Sequence, residues 1–246
     1  MKKLLCLLAL SLALLALAPT ARANVITWGP ATNISGDTDV KNDGTLFGAL
    51  NIGADGVSST SVNGVTFQAA AFGPMPPATF GHFQFNAVAR FVTNNSLGSS
   101  GAFFTSLSSG YQSLLSSAVL NGGGFFTLTI SGLTVGDQYE FEWWNNDSRS
   151  LNQNRTETAS DGAGHSITLN ATSNGATGGL GQFAVGTFAA DATSQVITFS
   201  QGGSLNGLQL RDITPAAVPE PGSLTLMAVG IAGLVGYGWR KRKQAA

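Results

Sequence analysis

Apolar and polar residues alternate with a period of two along stretch after stretch of this chain, and that period restricts it to strands. Phe126, Leu128 and Ile130 alternate with Thr127 and Thr129. Tyr139, Phe141 and Trp143 alternate with Glu140, Glu142 and Trp144. Ile197 and Phe199 share one parity, as do Leu208 and Leu210. Residues i and i+2 lie on one face of a strand, whereas a helix needs a 3.6-residue period. Further strands are expected over 45–51, 61–67, 83–92, 166–169 and 182–188, with a compact turn at 132–137. The stretch 111–120 reads instead as a short helix across the edge of the sheets. Gly, Ser, Thr, Asn, Val and Phe dominate between residues 24 and 214, and helix formers such as Lys and Glu are scarce. The expected class is all-β: one β-sandwich over 24–214, of jelly-roll type.

Both ends of the chain differ from this middle. Residues 1–23 open with Met1-Lys2-Lys3, run through apolar residues from Leu4 to Ala18, and finish Ala21-Arg22-Ala23. These are the three parts of a secretory signal peptide, with cleavage expected after Ala23. The only cysteine, Cys6, lies inside it, so the mature chain has no disulfide, thiolate ligand or thiol nucleophile. Between residues 24 and 216 five cations face twelve acids, a net charge of −7. That balance gives no footprint for nucleic acid.

At the other end, Pro219-Glu220-Pro221 precedes an apolar Gly-rich run over 223–239 and the basic cluster Arg240-Lys241-Arg242-Lys243. The combination resembles the PEP-CTERM sorting signal. The resemblance implies export from a Gram-negative bacterium and handling by signal peptidase, the secretion machinery and an exosortase. Delivery to the envelope, cell surface or extracellular matrix would follow, through an inner-membrane intermediate held by the 223–239 helix. Seventeen residues make about 25 Å of helix, short for a hydrocarbon core of roughly 30 Å. The segment is therefore either a removable address or a marginal permanent anchor. The cations would stay cytoplasmic. The resulting boundaries are 1–23 signal peptide, 24–214 sandwich, 215–222 linker, 223–239 helix and 240–246 basic tail. Stretches at 33–40, 62–67, 139–149, 179–183 and 205–211 also resemble a domain that recurs in exported bacterial proteins. It has no assigned activity and transfers no site residues.

Candidate sites are few. Strand parity puts Trp144 opposite the face of Tyr139, Phe141 and Trp143, and Asn145, Asp147, Arg149 and Arg155 follow. An exposed indole beside such groups is a sugar platform; alternatively Trp144 packs beneath the 145–164 loop. Glu140 and Glu142, two apart on one strand face, would hold their carboxyls roughly 6–8 Å apart, near an inverting glycosidase pair. The ordinary alternative is a solvated strand face. His165 has no Gly-x-Ser-x-Gly elbow to serve. Asp37, Asp39 and Asp43 share one loop and suit calcium, although Asx turns use the same residues. The expectation is an exported, non-enzymatic protein without cofactor, associated with exopolysaccharide. A carbohydrate-binding module centred on Trp144 and a glycoside hydrolase using Glu140 and Glu142 are the alternatives.

Overall fold

In a computed structural model of the chain, the alternation closes into two stacked sheets. Residues 25–73, 77–86, 91–120, 124–149, 155–173, 178–200 and 202–216 are described, with Met227, 229–232 and Arg240 beyond them. The chain divides into two units, Met1–Thr214 and Pro215–Ala246. In chain order the strands are β1 (Thr27–Trp28), β2 (Thr32–Asn33), β3 (Thr45–Ala54), β4 (Thr60–Val62), β5 (Val65–Phe72) and β6 (Ala78–Phe80). Then come β7 (Phe83–Asn86), β8 (Phe91–Thr93), β9 (Ala118–Leu120), β10 (Phe125–Ser131), β11 (Gln138–Asn145) and β12 (Thr156–Ser160). The last are β13 (Ser166–Asn170), β14 (Gln182–Ala189), β15 (Ser194–Ser200), β16 (Ser204–Leu205) and β17 (Gly207–Asp212).

The large sheet runs β1-β14-β11-β17-β3-β5-β4, with β2 also on β14. The small sheet runs β13-β12-β15-β10-β7-β6, and a short third sheet runs β16-β9-β8. From β10 onward the chain crosses repeatedly between the two main sheets: β10 small, β11 large, the β12–β13 hairpin small, β14 large, β15 small, β17 large. Such wrapping belongs to jelly-roll sandwiches.

Every residue of the alternating sets named above lies between the sheets: Phe126, Leu128 and Ile130, Tyr139, Phe141 and Trp143, Ile197 and Phe199, Leu208 and Leu210. Phe126 stacks on Phe199 with ring centroids 5.0 Å apart, and Trp143 meets Phe199 edge-on at 5.2 Å. Full burial of each such side chain stabilises the fold by about 1.5–3 kcal/mol.

Three local expectations change. The stretch 61–67 is a hairpin, not one strand: Asn63 (φ 47°) and Gly64 (φ 78°) form the turn between β4 and β5. Asn-Gly supplies the two left-handed residues that a two-residue hairpin turn demands. Within 83–92, β7 ends at Asn86 and β8 joins the third sheet. The helix spans Ser109–Ser116, capped by Ser108, and the chain is extended again over Ala118–Leu120. It lies on the outer face of the large sheet and not across an edge, because Tyr111, Leu114 and Leu115 pack with Val62, Val65, Phe67, Trp144 and Phe183. Those outward positions form an apolar patch that needs a cover.

The signal peptide with Ala21 and Ala23 lies outside the described residues, as do Pro219-Glu220-Pro221, Lys241, Arg242 and Lys243. So does most of the expected 223–239 helix, of which Met227 and 229–232 are helical. Arg240 is helical too. Among the described residues no helix is long and apolar enough to cross a membrane.

The cover fits closely. A Cβ added at Gly110 would lie 2.0 Å from the carbonyl oxygen of Ser61. Alanine gains about 1 kcal/mol over glycine in a helix, but overpacking against backbone costs about 1–3 kcal/mol. Gly110→Ala is therefore expected to lower unfolding free energy by up to about 2 kcal/mol in urea titrations. A stabilised variant would mean that the helix is not seated this tightly.

Candidate functional site

Strand β11 places Glu140, Glu142 and Trp144 on the outer face of the large sheet, as parity requires. The expectation of an open platform at Trp144 is corrected, because this face is roofed. Trp144 has no exposed surface; Phe67 meets it edge-on at 5.5 Å and Phe183 stacks beside it at 6.5 Å. Its indole N–H donates to the Tyr111 hydroxyl at 2.9 Å, and that hydroxyl donates to Asp39 Oδ2 at 3.3 Å. The roof is the helix Ser109–Ser116, so Trp144 lies neither in solvent nor beneath the 145–164 loop.

The polar residues after Trp144 are structural in their contacts. Asn145 donates to the Leu169 carbonyl at 2.8 Å and accepts from Ser204 N–H at 3.0 Å. Asp147 is buried and takes a bidentate pair from Arg149, with Nε and Nη2 each at 2.8 Å. Arg155 is half-buried, and its carbonyl accepts from Ala171 N–H at 2.8 Å. These side chains converge on no open surface with Trp144. His165 Nδ1 lies 2.9 Å from Asp161 Oδ2, and the same carboxylate accepts from Ile26 N–H at 3.0 Å. Burial would raise the Asp161 carboxyl, but the N–H groups of Ile26, Ala163 and His165 outweigh it and hold it below its ordinary value.

The two glutamates have opposite settings, which corrects the picture of one solvated face carrying an open pair. Glu142 is sealed. Its Oε2 accepts from Gln209 Nε2 at 2.5 Å and from Lys41 N–H at 3.1 Å, while Oε1 is buried with no hydrogen-bond partner. Burial pushes this carboxyl up to about 8, against those hydrogen bonds. Glu140 is half-buried and raised by the same cause, and Lys41 opposes the shift. Arg211 is not their ion-pair partner. It donates instead to the carbonyls of Asn42 at 3.0 Å, Gly44 at 3.1 Å and Asp43, fastening the 42–44 loop to β17.

Two of the three loop aspartates make turn and capping contacts. Asp39 accepts from Ser35 N–H at 2.7 Å and Gly36 N–H at 3.0 Å, and Asp37 accepts from the Ser108 hydroxyl at 2.7 Å. Among the described residues no three such side chains gather as a metal site. The turn reading of Asp37 and Asp39 describes their contacts.

What opens beside Glu140 is a cleft of about 560 Å³. Phe183 and Val185 supply apolar surface from β14; Thr27, Thr32, Thr38 and Thr187 supply hydroxyls. Asp39, Lys41 and Glu140 supply charge. The register brings Thr27 opposite Thr187 and Thr187 opposite Glu140, so three strands contribute neighbouring positions. Sequence reasoning missed this cleft. Its edge strands β1 and β2 are two residues each, too short for periodicity to register, and they meet β14 about 150 residues later.

Residues 217–243 match the PEP-CTERM protein-sorting motif. The protein is thus one sorted for export through exosortase and the secretion machinery. No curated protein matches the sequence. Among solved structures, a CBM35 from Cellvibrio japonicus Abf62 aligns at 15% identity and TM-score 0.34, over 51% of this chain and 84% of that one. A Xyl-CBM35 in complex with a glucuronic acid containing disaccharide aligns at 14% and 0.33, over 54% and 93%. A calcium-binding mutant of Bacteroides uniformis beta-glucuronidase 2 aligns at 13% and 0.45, over 80% of this chain and 23% of that one. Likeness at these scores carries no inference about ligand or activity.

Glu142 makes stability depend on pH in a defined direction. With a folded pKa of about 8 against an ordinary 4.5, the folded state keeps a proton that the unfolded chain releases between those values. Glu157, also buried and pushed to about 8 by burial, acts in the same window. Their contribution is complete below 4.5 and lost as pH rises through 8. Urea midpoints are expected to fall from pH 5 to pH 9, and Glu142→Gln to remove about half of that slope. An unchanged slope in the variant would show that this carboxyl is not sealed.

Proposed function

We propose that the protein is an exported, non-enzymatic sandwich of the envelope or extracellular matrix, associated with exopolysaccharide and binding saccharide in the Lys41–Glu140 cleft. The observation that carries this reading is the lining of the cleft. Apolar surface from Phe183 and Val185 suits the C–H face of a sugar ring, and threonine hydroxyls with Lys41 and Glu140 suit its hydroxyls. The carbohydrate-binding alternative thereby moves from Trp144 to the opposite end of the same strand.

The setting of the carboxylates supports binding without catalysis. Glycoside hydrolysis ordinarily uses two, flanking the bond. Glu142 is sealed, and Asp39 already accepts from Ser35, Gly36 and Tyr111. Glu140 therefore has no second free carboxylate beside it in the cleft. Lys41 next to Glu140 favours a ligand with both neutral hydroxyls and an occasional carboxylate, as in acidic exopolysaccharides.

Isothermal titration of the purified protein with neutral and uronic oligosaccharides tests the site. Lys41→Ala and Glu140→Gln are each expected to weaken binding at least about tenfold, a factor of ~1.4 kcal/mol, with the melting temperature preserved. Equal affinity in both variants, or turnover of a glycosidic substrate, would overturn the reading. Intact mass of protein recovered from the cell surface is expected to lack residues 222–246; their retention would make the tail an anchor.

A further inference from the structure

Among the described residues, the outer face of the small sheet is open, flat in composition and without charge. Strand parity turns Gln84 and Asn86 of β7 outward, with Phe125, Thr127, Thr129 and Ser131 of β10. On β15 it turns Ser194, Val196, Thr198 and Ser200 outward. Thr156, Thr158 and Ser160 of β12, Ser166, Thr168 and Asn170 of β13, and Thr79 of the edge strand β6 complete the face. No Asp, Glu, Lys, Arg or His occupies an outward position on these strands; Glu157 of β12 points inward. The register lines the hydrogen-bonding groups up across the sheet. Asn86, Thr127, Thr198, Ser160 and Ser166 stand opposite one another in one row over five strands. A second row holds Gln84, Thr129 and Val196. A third holds Phe125, Ser200, Thr158 and Thr168, with the last two hydroxyls 2.7 Å apart.

Such a surface is a ruled array. Hydroxyls recur about every 4.7–4.9 Å across the strands and about every 6.7 Å along them. Phe125 and Val196 are 62% and 45% exposed, apolar points within it. A face that served only solubility would mix Lys and Glu, which also keep sheets from stacking. Threonine is stiff at χ1, so its hydroxyls are held in place before any partner arrives and little rotamer freedom is lost on contact.

We propose that this face is a docking surface for a neutral polysaccharide laid along β10 and β15, from Phe125 past the Thr127–Thr198 pair to Val196. Sugar rings would rest on Phe125 and Val196 while their hydroxyls meet the threonine and serine rows. The charge pattern selects the occupant. An anionic or cationic polymer finds no counter-charge here and would lose hydration without compensation, whereas a neutral polyol exchanges water hydrogen bonds for equivalent ones. The face lies on the sheet opposite the one that bears the cleft. It gives an exported protein a second, salt-insensitive hold on its surroundings.

The test is co-sedimentation of the full chain, purified in detergent, with insoluble cellulose, β-1,3-glucan and crosslinked dextran, and with calcium alginate as the anionic comparison. Retention on at least one neutral polymer, unchanged by high salt, is expected. Thr127→Lys with Thr198→Lys, two charges in the central row, should reduce retention at least about tenfold. Thr127→Ser with Thr198→Ser keeps the hydroxyls and should retain binding. Phe125→Ser, at a position already exposed, is the second route and should also weaken retention, with circular dichroism unchanged. Binding to alginate alone, or neutral-polymer retention indifferent to both the lysine pair and Phe125→Ser, would overturn the proposal. So would a wild-type dimer in size-exclusion chromatography that the lysine pair converts to monomer, since the occupant would then be a second copy. Failure of the cleft reading appears separately, in titrations with soluble oligosaccharides, and leaves this result intact.

Discussion

Strand β11 is buried on both faces, and most of what distinguishes this sandwich depends on it. Trp143 enters the core between the sheets while its neighbour Trp144 enters a second core on the far side. One face of an antiparallel sheet normally meets water. Here Phe67, Trp144 and Phe183 make that impossible to leave open, and the chain supplies a roof from the 34–44 segment and the helix Ser109–Ser116. The roof is fastened by polar contacts as well as by packing. Tyr111 joins Trp144 to Asp39, Ser108 holds Asp37, and Arg211 collects the carbonyls of the 42–44 loop.

Roofing changes the chemistry of acids beneath it. Glu142 and Glu140 are two residues apart, yet one is sealed with a carboxyl raised to about 8 and the other borders a cleft. The roof ends between them. A pair of carboxylates that looks catalytic in the sequence is divided by the boundary of a second hydrophobic core. Desolvation decides their roles, since burial acts on a charge far more strongly than spacing along a strand does.

The two outer faces of the sandwich then diverge. The face of the large sheet is covered, charged at its margin and concave at Glu140; among the described residues the face of the small sheet is uncovered, neutral and regular. The PEP-CTERM motif implies that the protein carrying both faces is exported. A concave site lined by Lys41 and Glu140 suits a short segment of sugar, and an extended neutral array suits a long chain. Together the two proposed sites favour attachment.

Alternation by itself determined the parity of the core residues on β10, β11, β15 and β17, and the opposition of Trp143 to Trp144. The Asn63-Gly64 dipeptide held the hairpin that a reading of 61–67 as one strand passed over, because its left-handed preference is local. The two ends of the chain carried the address for the same reason, as targeting signals are read as linear patterns. Only the tertiary structure decided what lies against each face. Parity assigns a side chain to a side of the sheet and says nothing of whether water or protein waits there. Trp144 was therefore assigned to the correct side and the wrong surroundings, while the cleft depended on Thr27 and Thr32 meeting a strand some 150 residues away. Local sequence governs periodicity and turns; burial, and with it every raised carboxyl, belongs to contacts that close only when the whole chain has folded.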